Sequence, residues 1–154
     1  VLSIISMGAS AQGVNKVTGT IGREKLDDNR IVVCVLGTAA CMPVYIDETM
    51  TVKYNGKNTK LKELPCAIYL EAKVDDRNNK ISAINIDENK TAICFAENIK
   101  DDAVKLTKLL SQTKGVESYK LYYESNQVYI EYNHDIISYS KLEGKIKNEG
   151  FYLE

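Results

Sequence analysis

The feature that most constrains this sequence is a change of rhythm near residue 90. Before it lie six short runs rich in β-branched residues and bounded by turn residues, a pattern typical of strands: NKVTGTIG, NRIVVCVLG, MPVYID, MTVKY, CAIYLEAKVD and KISAINID. Asn55-Gly56 predicts a type I′ turn, and residues 61–64 predict one helical turn that ends at Pro65. The first part of the chain is therefore predicted to be all β.

Strands this short bury one face each only by closing into a barrel or by packing two sheets together. The stretch TVKYNGKNTKLKELPCAIYLEAKV is similar to small OB-like modules of exported bacterial proteins, and this resemblance implies an OB-like barrel over residues 13–87. OB barrels often bind nucleic acid or sugar, but this sequence lacks the basic groove with interleaved aromatic residues that single strands require. A weak oligosaccharide or nucleic-acid binder is the third functional alternative.

Helical spacing of apolar residues begins after a polar linker at residues 88–92. The periodic positions, the caps and the strands that follow predict a βαββαβ order over residues 93–154, a ferredoxin-like sandwich with two helices on one face of a four-stranded sheet. The helix signals are Ala103, Leu106, Leu109 and Leu110 after Asp101 or Asp102, then Leu142 and Ile146 after Ser138 or Ser140; the strands are residues 91–96, 116–123, 127–132 and the closing FYLE. The whole chain is thus predicted to be an α+β protein.

The end of the chain, KGVESYKLYYESNQVYIEYNHDIISYSKLEGKIKNEGFYLE, resembles the heavy-metal-associated domain of copper chaperones and metal-exporting ATPases. In that family a Met-x-Cys-x-x-Cys loop binds soft ions, because thiolate ligands suit them. Alignment on Gly115-Val116 puts Ile99 and Asp102 at the two cysteine positions and Glu97 at the methionine position. The resemblance therefore implies the family's fold without its metal site, and no cofactor is predicted.

The predicted sheet then becomes the candidate functional surface. Strand alternation places five residues on the face away from the helices: Cys94, Lys120, Tyr122, Tyr129 and Glu131. Tyrosine is enriched at interfaces because it combines apolar area with one polar tip. Tyrosine also has a high strand propensity, so a solvated sheet face is the alternative to the predicted partner interface.

The N-terminus and the cysteines bear on the compartment. Residues 1–12 are interpreted as a signal-peptide-like segment, because a short apolar run precedes Ala9-Ser10-Ala11, a form that signal peptidases cut; an ordinary first strand is the alternative. Four cysteines fit an exported chain with up to two disulfides in any of three pairings, or a cytosolic chain in which they are small buried hydrophobic residues: Cys34, Cys41, Cys66 and Cys94. A periplasmic, secreted or other extracytoplasmic location is predicted.

Motifs for catalysis are absent from the sequence. The single histidine, His134, precedes Asp135 in a pattern more typical of a turn than of a catalytic base, and there is no phosphate-binding glycine loop, CxxC pair or nucleophile elbow. With 20 basic and 21 acidic residues, the charge shows no footprint of nucleic-acid binding. No apolar run reaches the length of about 20 residues that a membrane-spanning helix needs.

The leading interpretation is a non-catalytic accessory or assembly subunit that binds protein partners, or itself, within a larger complex. The runner-up is a metal-handling protein in which Cys34, Cys41 and Met42 hold a Cu(I)-like ion with their soft sulfur atoms.

Overall fold

A computed structural model describes residues 13–38 and 40–154 of the chain. The described residues form ten strands, two α-helices and one short 3-10 turn, so the protein is mostly β, and the α+β prediction is wrong. The elements, in chain order, are β1 (Val14–Asp27), β2 (Arg30–Val35), β3 (Cys41–Tyr45), β4 (Thr51–Tyr54), β5 (Lys57–Lys60), the 3-10 turn (Leu61–Glu63), β6 (Tyr69–Asp75), β7 (Lys80–Asp87), β8 (Lys90–Cys94), α1 (Ala103–Gln112), β9 (Val116–Tyr122), β10 (Gln127–Tyr132) and α2 (Tyr139–Asn148).

The described residues divide into two compact units. One comprises residues 13–35 and 40–88, and the other comprises residues 36–38 and 89–154. The division after Glu88 falls inside the segment predicted as a linker, although β8 already begins at Lys90. The predicted signal-like segment, residues 1–12, lies outside the described residues.

The first unit is built on a closed five-stranded barrel with the order β1-β2-β3-β7-β6. β6 pairs antiparallel with β1 and closes the barrel, and β3 meets β7 in parallel at Tyr45 and Lys80. Alternate residues of these strands fill the interior together with Leu61 and Leu64 from the 3-10 turn region. A barrel was predicted for this segment and is found; its likeness to OB barrels stays a prediction.

A separate hairpin of β4 and β5 belongs to the same unit. Asn55 and Gly56 connect the two strands with φ angles of 50° and 75°. Positive φ at both central residues is what a type I′ turn requires, so the predicted turn is confirmed.

The second unit has a three-stranded antiparallel sheet in the order β8-β10-β9. Val128 and Ile130 of β10 point toward the two helices, which bury Leu106 and Leu110 of α1 and Leu142 and Ile146 of α2 in the same core. The side chain of Ser138 caps α2 by accepting a hydrogen bond from the Lys141 N–H, as N-cap serines do. Neither described helix has the length and hydropathy to cross a membrane.

The predicted four-stranded ferredoxin-like sandwich is wrong because the closing FYLE segment does not form a fourth strand. Gly150 turns the chain with a φ of 95°, and the Phe151 ring then packs edge-on against Phe95, with centroids 5.5 Å apart. The segment pairs with the chain after β8 through an isolated bridge between Phe95 and Leu153. The Phe151 ring thus joins the core of the second unit, and the segment contributes a bridge instead of a strand.

Candidate functional site

The five residues predicted on the sheet face away from the helices do lie on one face. Tyr129 is opposite Lys120, and Gln127 is opposite both Cys94 and Tyr122. Residues opposite one another, and every second residue along a strand, share a face. The structure therefore brings together a surface that we call the tyrosine face: Cys94, Lys120, Tyr122, Tyr129 and Glu131.

Contacts within the tyrosine face hold its side chains in place. The Tyr129 hydroxyl donates a hydrogen bond to Glu131 Oε1 at 2.7 Å. The Lys120 Nζ lies 5.0 Å from the centroid of the Tyr122 ring, within the range of a cation–π interaction. Lys120 is exposed, whereas Tyr122, Tyr129 and Glu131 are half-buried. The face thus presents two oriented rings with one charge of each sign beside them.

Gln127 lies on this face and was missed by the sequence analysis. It is only 1% exposed, and its Oε1 accepts hydrogen bonds from the Ser125 hydroxyl and the Gly37 N–H, both at 2.7 Å. Its Nε2 lies 3.4 Å from Cys94 Sγ. A buried amide needs such partners, so this end of the face is a closed polar cluster. In sequence, a glutamine in an alternating strand resembles a solvated residue, which gives no signal of burial.

Cys94 is a half-buried free thiol at the edge of that cluster. Burial raises the pKa of the Cys94 thiol, and the hydrogen bond from Gln127 offsets part of this effect. A raised pKa keeps the sulfur protonated near neutral pH, and the protonated thiol is a poor nucleophile and metal ligand. Cys94 therefore contributes packing to the face rather than reactivity.

The loop before α1 is held in place by an amide side chain. Asn126 Oδ1 accepts a hydrogen bond from the Ile99 N–H at 2.7 Å, and its Nδ2 donates to the carbonyl oxygens of Phe95 and Glu97. Ile99 is 1% exposed and belongs to the core of the second unit, while Asp102 occupies the N-cap position of α1. Ile99 and Asp102, the positions that the predicted resemblance aligns with metal cysteines, therefore lie in the core and at the start of a helix. No sequence pattern pointed to Asn126 as the residue that holds this loop.

The three sulfur atoms of the alternative metal site do not converge. Cys34 and Cys41 are joined in a disulfide, so they offer no thiolate. Met42 is fully buried in the barrel core and points away from them, because neighbouring residues of a strand face opposite sides. In the described part of the chain, no group of three or more His, Cys, Asp or Glu side chains is arranged to hold a metal ion.

His134 lies in the turn after β10. Its Nδ1 is 2.7 Å from Asn89 Oδ1, which also accepts from the His134 backbone N–H at 3.0 Å. The other ring nitrogen is 3.5 Å from a carboxylate oxygen of Asp135. Both ring nitrogens therefore take part in a local turn network.

A cleft of about 320 Å³ is lined mainly by residues of β1 and β2. Its cations are engaged by neighbours: Arg30 pairs with Asp27 at 2.8 Å, Lys62 with Asp28 at 3.2 Å, and Lys25 donates to a backbone carbonyl. Binding to nucleic acid depends on cations that are free to neutralise phosphates, so these charges do not favour it. The cleft is lined by Ile21, Glu24, Lys25, Leu26, Asp27, Asp28, Arg30, Ile31, Val32 and Lys62.

Among these places, the tyrosine face is the one where residues predicted as a functional set meet in space. Its geometry suits recognition by contact, since it combines aromatic area with oriented charges. No family model, curated protein or solved structure matches this chain.

Proposed function

We propose that this protein is a non-catalytic binding subunit that holds another protein on its tyrosine face. The observation that carries the proposal is the placement of Cys94, Lys120, Tyr122, Tyr129 and Glu131 on one face of the β8-β10-β9 sheet. The two rings supply large contact area at a low cost in conformational entropy, since tyrosine has only two rotatable side-chain angles.

The contacts within the face support a preformed binding surface. The hydrogen bond from Tyr129 to Glu131 and the cation–π contact of Lys120 with Tyr122 already fix the rings, which lowers the entropy lost on association. The partner surface that fits is apolar at its centre and carries a carboxylate opposite the exposed Lys120, because complementary charges set the orientation of a complex.

An extracytoplasmic compartment is part of the proposal. The Cys34–Cys41 disulfide supports it, because disulfides persist in oxidising compartments and are rare in the cytosol. Fractionation of the source cells, followed by immunoblotting for the chain, tests the compartment. We expect the chain in an extracytoplasmic fraction, and its recovery from the cytosol would overturn the assignment.

Site-specific photo-crosslinking tests the binding role. Ser118 is exposed and lies opposite Glu131 on the same face, so a benzophenone amino acid at position 118 of the full chain, expressed in the source cells, is expected to give one adduct of defined mass. The matched control carries the same group at Lys108, which is exposed on α1 of the same unit, and should give no such adduct.

The substitution Tyr129→Ser then removes one ring while leaving the helix-facing core untouched. We expect the adduct from position 118 to disappear in this variant, with the circular dichroism of the chain unchanged. Adducts of equal yield from positions 118 and 108, or an adduct insensitive to Tyr129→Ser, would contradict the proposal. An adduct with twice the mass of the chain would show that the partner is a second copy of this protein.

A further inference from the structure

The Cys34–Cys41 disulfide lies on the outside of the barrel, away from its core. Cys34 and Cys41 are directly opposite each other on β2 and β3, with Cα atoms 3.9 Å apart. Their neighbours Val33 and Met42 are also opposite each other and point into the barrel core. Side chains alternate along a strand, so the sulfur bridge projects from the outer surface.

The two sulfur atoms differ in their surroundings. Cys41 is exposed, whereas Cys34 is half-buried. Gly22 backs Cys34 so closely that a Cβ atom placed on this glycine would lie 3.4 Å from Cys34 Sγ and 2.8 Å from a Val32 methyl carbon. An external thiolate therefore reaches the bridge through Cys41 Sγ.

The hairpin that carries the bridge has other bonds that hold it closed. The Val35 N–H donates to the Ala40 carbonyl at 2.8 Å, next to the bridge itself. Beyond it, β2 and β3 stay in register from the Cys34–Cys41 pair to the Arg30–Tyr45 pair, and alternate residues bury their side chains in the core. None of these contacts involves the sulfur atoms.

We infer from this geometry that Cys34–Cys41 is a thiol–disulfide exchange site, which an external dithiol reduces at Cys41 while the barrel stays folded. This inference is independent of the tyrosine face. It assigns the disulfide a reversible chemical role instead of the purely structural role that a disulfide in an exported domain usually has.

Thiol–disulfide exchange proceeds through a mixed disulfide. A thiolate of the dithiol attacks Cys41 Sγ, a mixed disulfide forms, and Cys34 leaves as a thiolate that takes up a proton. The second thiol of the reductant then attacks the reductant's first sulfur, which is bonded to Cys41. Cys41 leaves as a thiolate that takes up a proton. Two electrons and two protons pass to the cysteine pair, and the dithiol becomes a disulfide.

Dithiothreitol is the probe for the first test, applied to the full chain with Cys66→Ser and Cys94→Ser so that only the hairpin cysteines are counted. After reduction without denaturant, iodoacetamide is expected to label both Cys34 and Cys41, with the amide spectrum of the barrel retained and shifts confined to β2, β3 and their neighbours. Labelling that requires denaturant, or loss of the barrel spectrum on reduction, would overturn the inference. Peptide-level quantification on the unsubstituted chain gives the same readout if the serine variant does not fold.

A second measurement tests the point of attack. Brief exposure to glutathione, acid quenching and peptide mapping are expected to place the glutathione adduct on Cys41. Adducts shared equally between the two cysteines, or found on Cys34, would contradict the proposed route through Cys41.

Discussion

The backbone N–H of Ile99 donates a hydrogen bond to the side-chain oxygen of Asn126 over 2.7 Å. This bond ties the loop before α1 to the turn between β9 and β10. An amide side chain thus fixes the course of the loop, and the Ile99 side chain joins the core of the second unit.

The anchor predicts a large effect of Asn126→Ala. The substitution removes three hydrogen bonds, each worth about 0.5–1.5 kcal/mol net, so we expect the second unit to lose about 2–4 kcal/mol. Native-state hydrogen exchange of α1 and β10 amides measures this loss, and exchange of β6 and β7 amides measures the effect of the control. Asn79→Ala is the matched control, because Asn79 also has a positive φ, 53°, but lies in the first unit. If Asn126→Ala lowers the free energy of unfolding no more than Asn79→Ala does, the effect comes from the backbone conformation and not from the hydrogen bonds.

Ile99 is a core residue of the second unit, so we expect its truncation to destabilise this unit. Ile99→Ala should lower the free energy of unfolding of this unit by about 2–5 kcal/mol, the usual effect of emptying a buried isoleucine site. Val104→Ala on the adjacent helix, where the side chain is 85% exposed, should change it by about 0.5 kcal/mol or less. Urea unfolding monitored in the second unit compares the two, and equal effects would refute the core role of Ile99.

Alanine substitutions at two glycines of the second unit should have opposite effects on its stability. Gly115 has a φ of 103°, and a Cβ there would lie 2.7 Å from an Ile137 methyl carbon, so Gly115→Ala should destabilise the unit by about 1–3 kcal/mol. Gly144 lies in α2 with nothing within 4 Å of a Cβ, so Gly144→Ala should stabilise it by about 0.5–1 kcal/mol. Thermal unfolding of both variants provides the measurement, and a stabilised Gly115→Ala variant would contradict the close approach.

Asp75 gives a pH-dependent prediction. Hydrogen bonds from the Arg77 side chain and backbone lower the pKa of Asp75 from 3.8 to about 2. The unfolded chain therefore binds more protons at Asp75 than the folded chain, and the stabilisation is complete above about pH 4 and is lost as the pH falls toward 2. Carbon-13 titration of the carboxyl measures this pKa, and Arg77→Gln should raise it toward 3.8.

Asp47 is the internal control for that titration. Its pKa is lowered by hydrogen bonds from the side chain and backbone of Thr49, so Arg77→Gln should leave it unchanged. A shift of both carboxyls would point to a change in the barrel and not to the loss of the Arg77 contact.

The parts of the fold that local sequence signals predicted were those governed by local physics. Asn55-Gly56 requires positive φ at two successive residues, and few sequences other than Asn-Gly provide it. The alternation of Tyr129 and Glu131 with Val128 and Ile130 fixes which side chains share a face. Both features depend on neighbours in sequence, and both appear in the structure as predicted.

The prediction failed at the FYLE segment and left out two amide side chains. FYLE has a strand-like pattern, but Phe151 packs on Phe95, far away in the sequence. Asn126 and Gln127 look like turn and surface residues, yet each forms hydrogen bonds with residues that no periodicity brings near, such as Ile99 and Gly37. Contacts of this kind depend on how completed elements pack.

By itself, the sequence determined a β-rich first part, two helices in the second part, and the face on which the tyrosines of β9 and β10 lie, because turn chemistry and side-chain period act over a few residues. Tertiary structure alone decided that the second sheet stops at three strands, that Cys34 bonds to Cys41, and that Asn126 anchors the loop before α1. These outcomes depend on distances between residues remote in the chain, which are set only when the hydrophobic cores close.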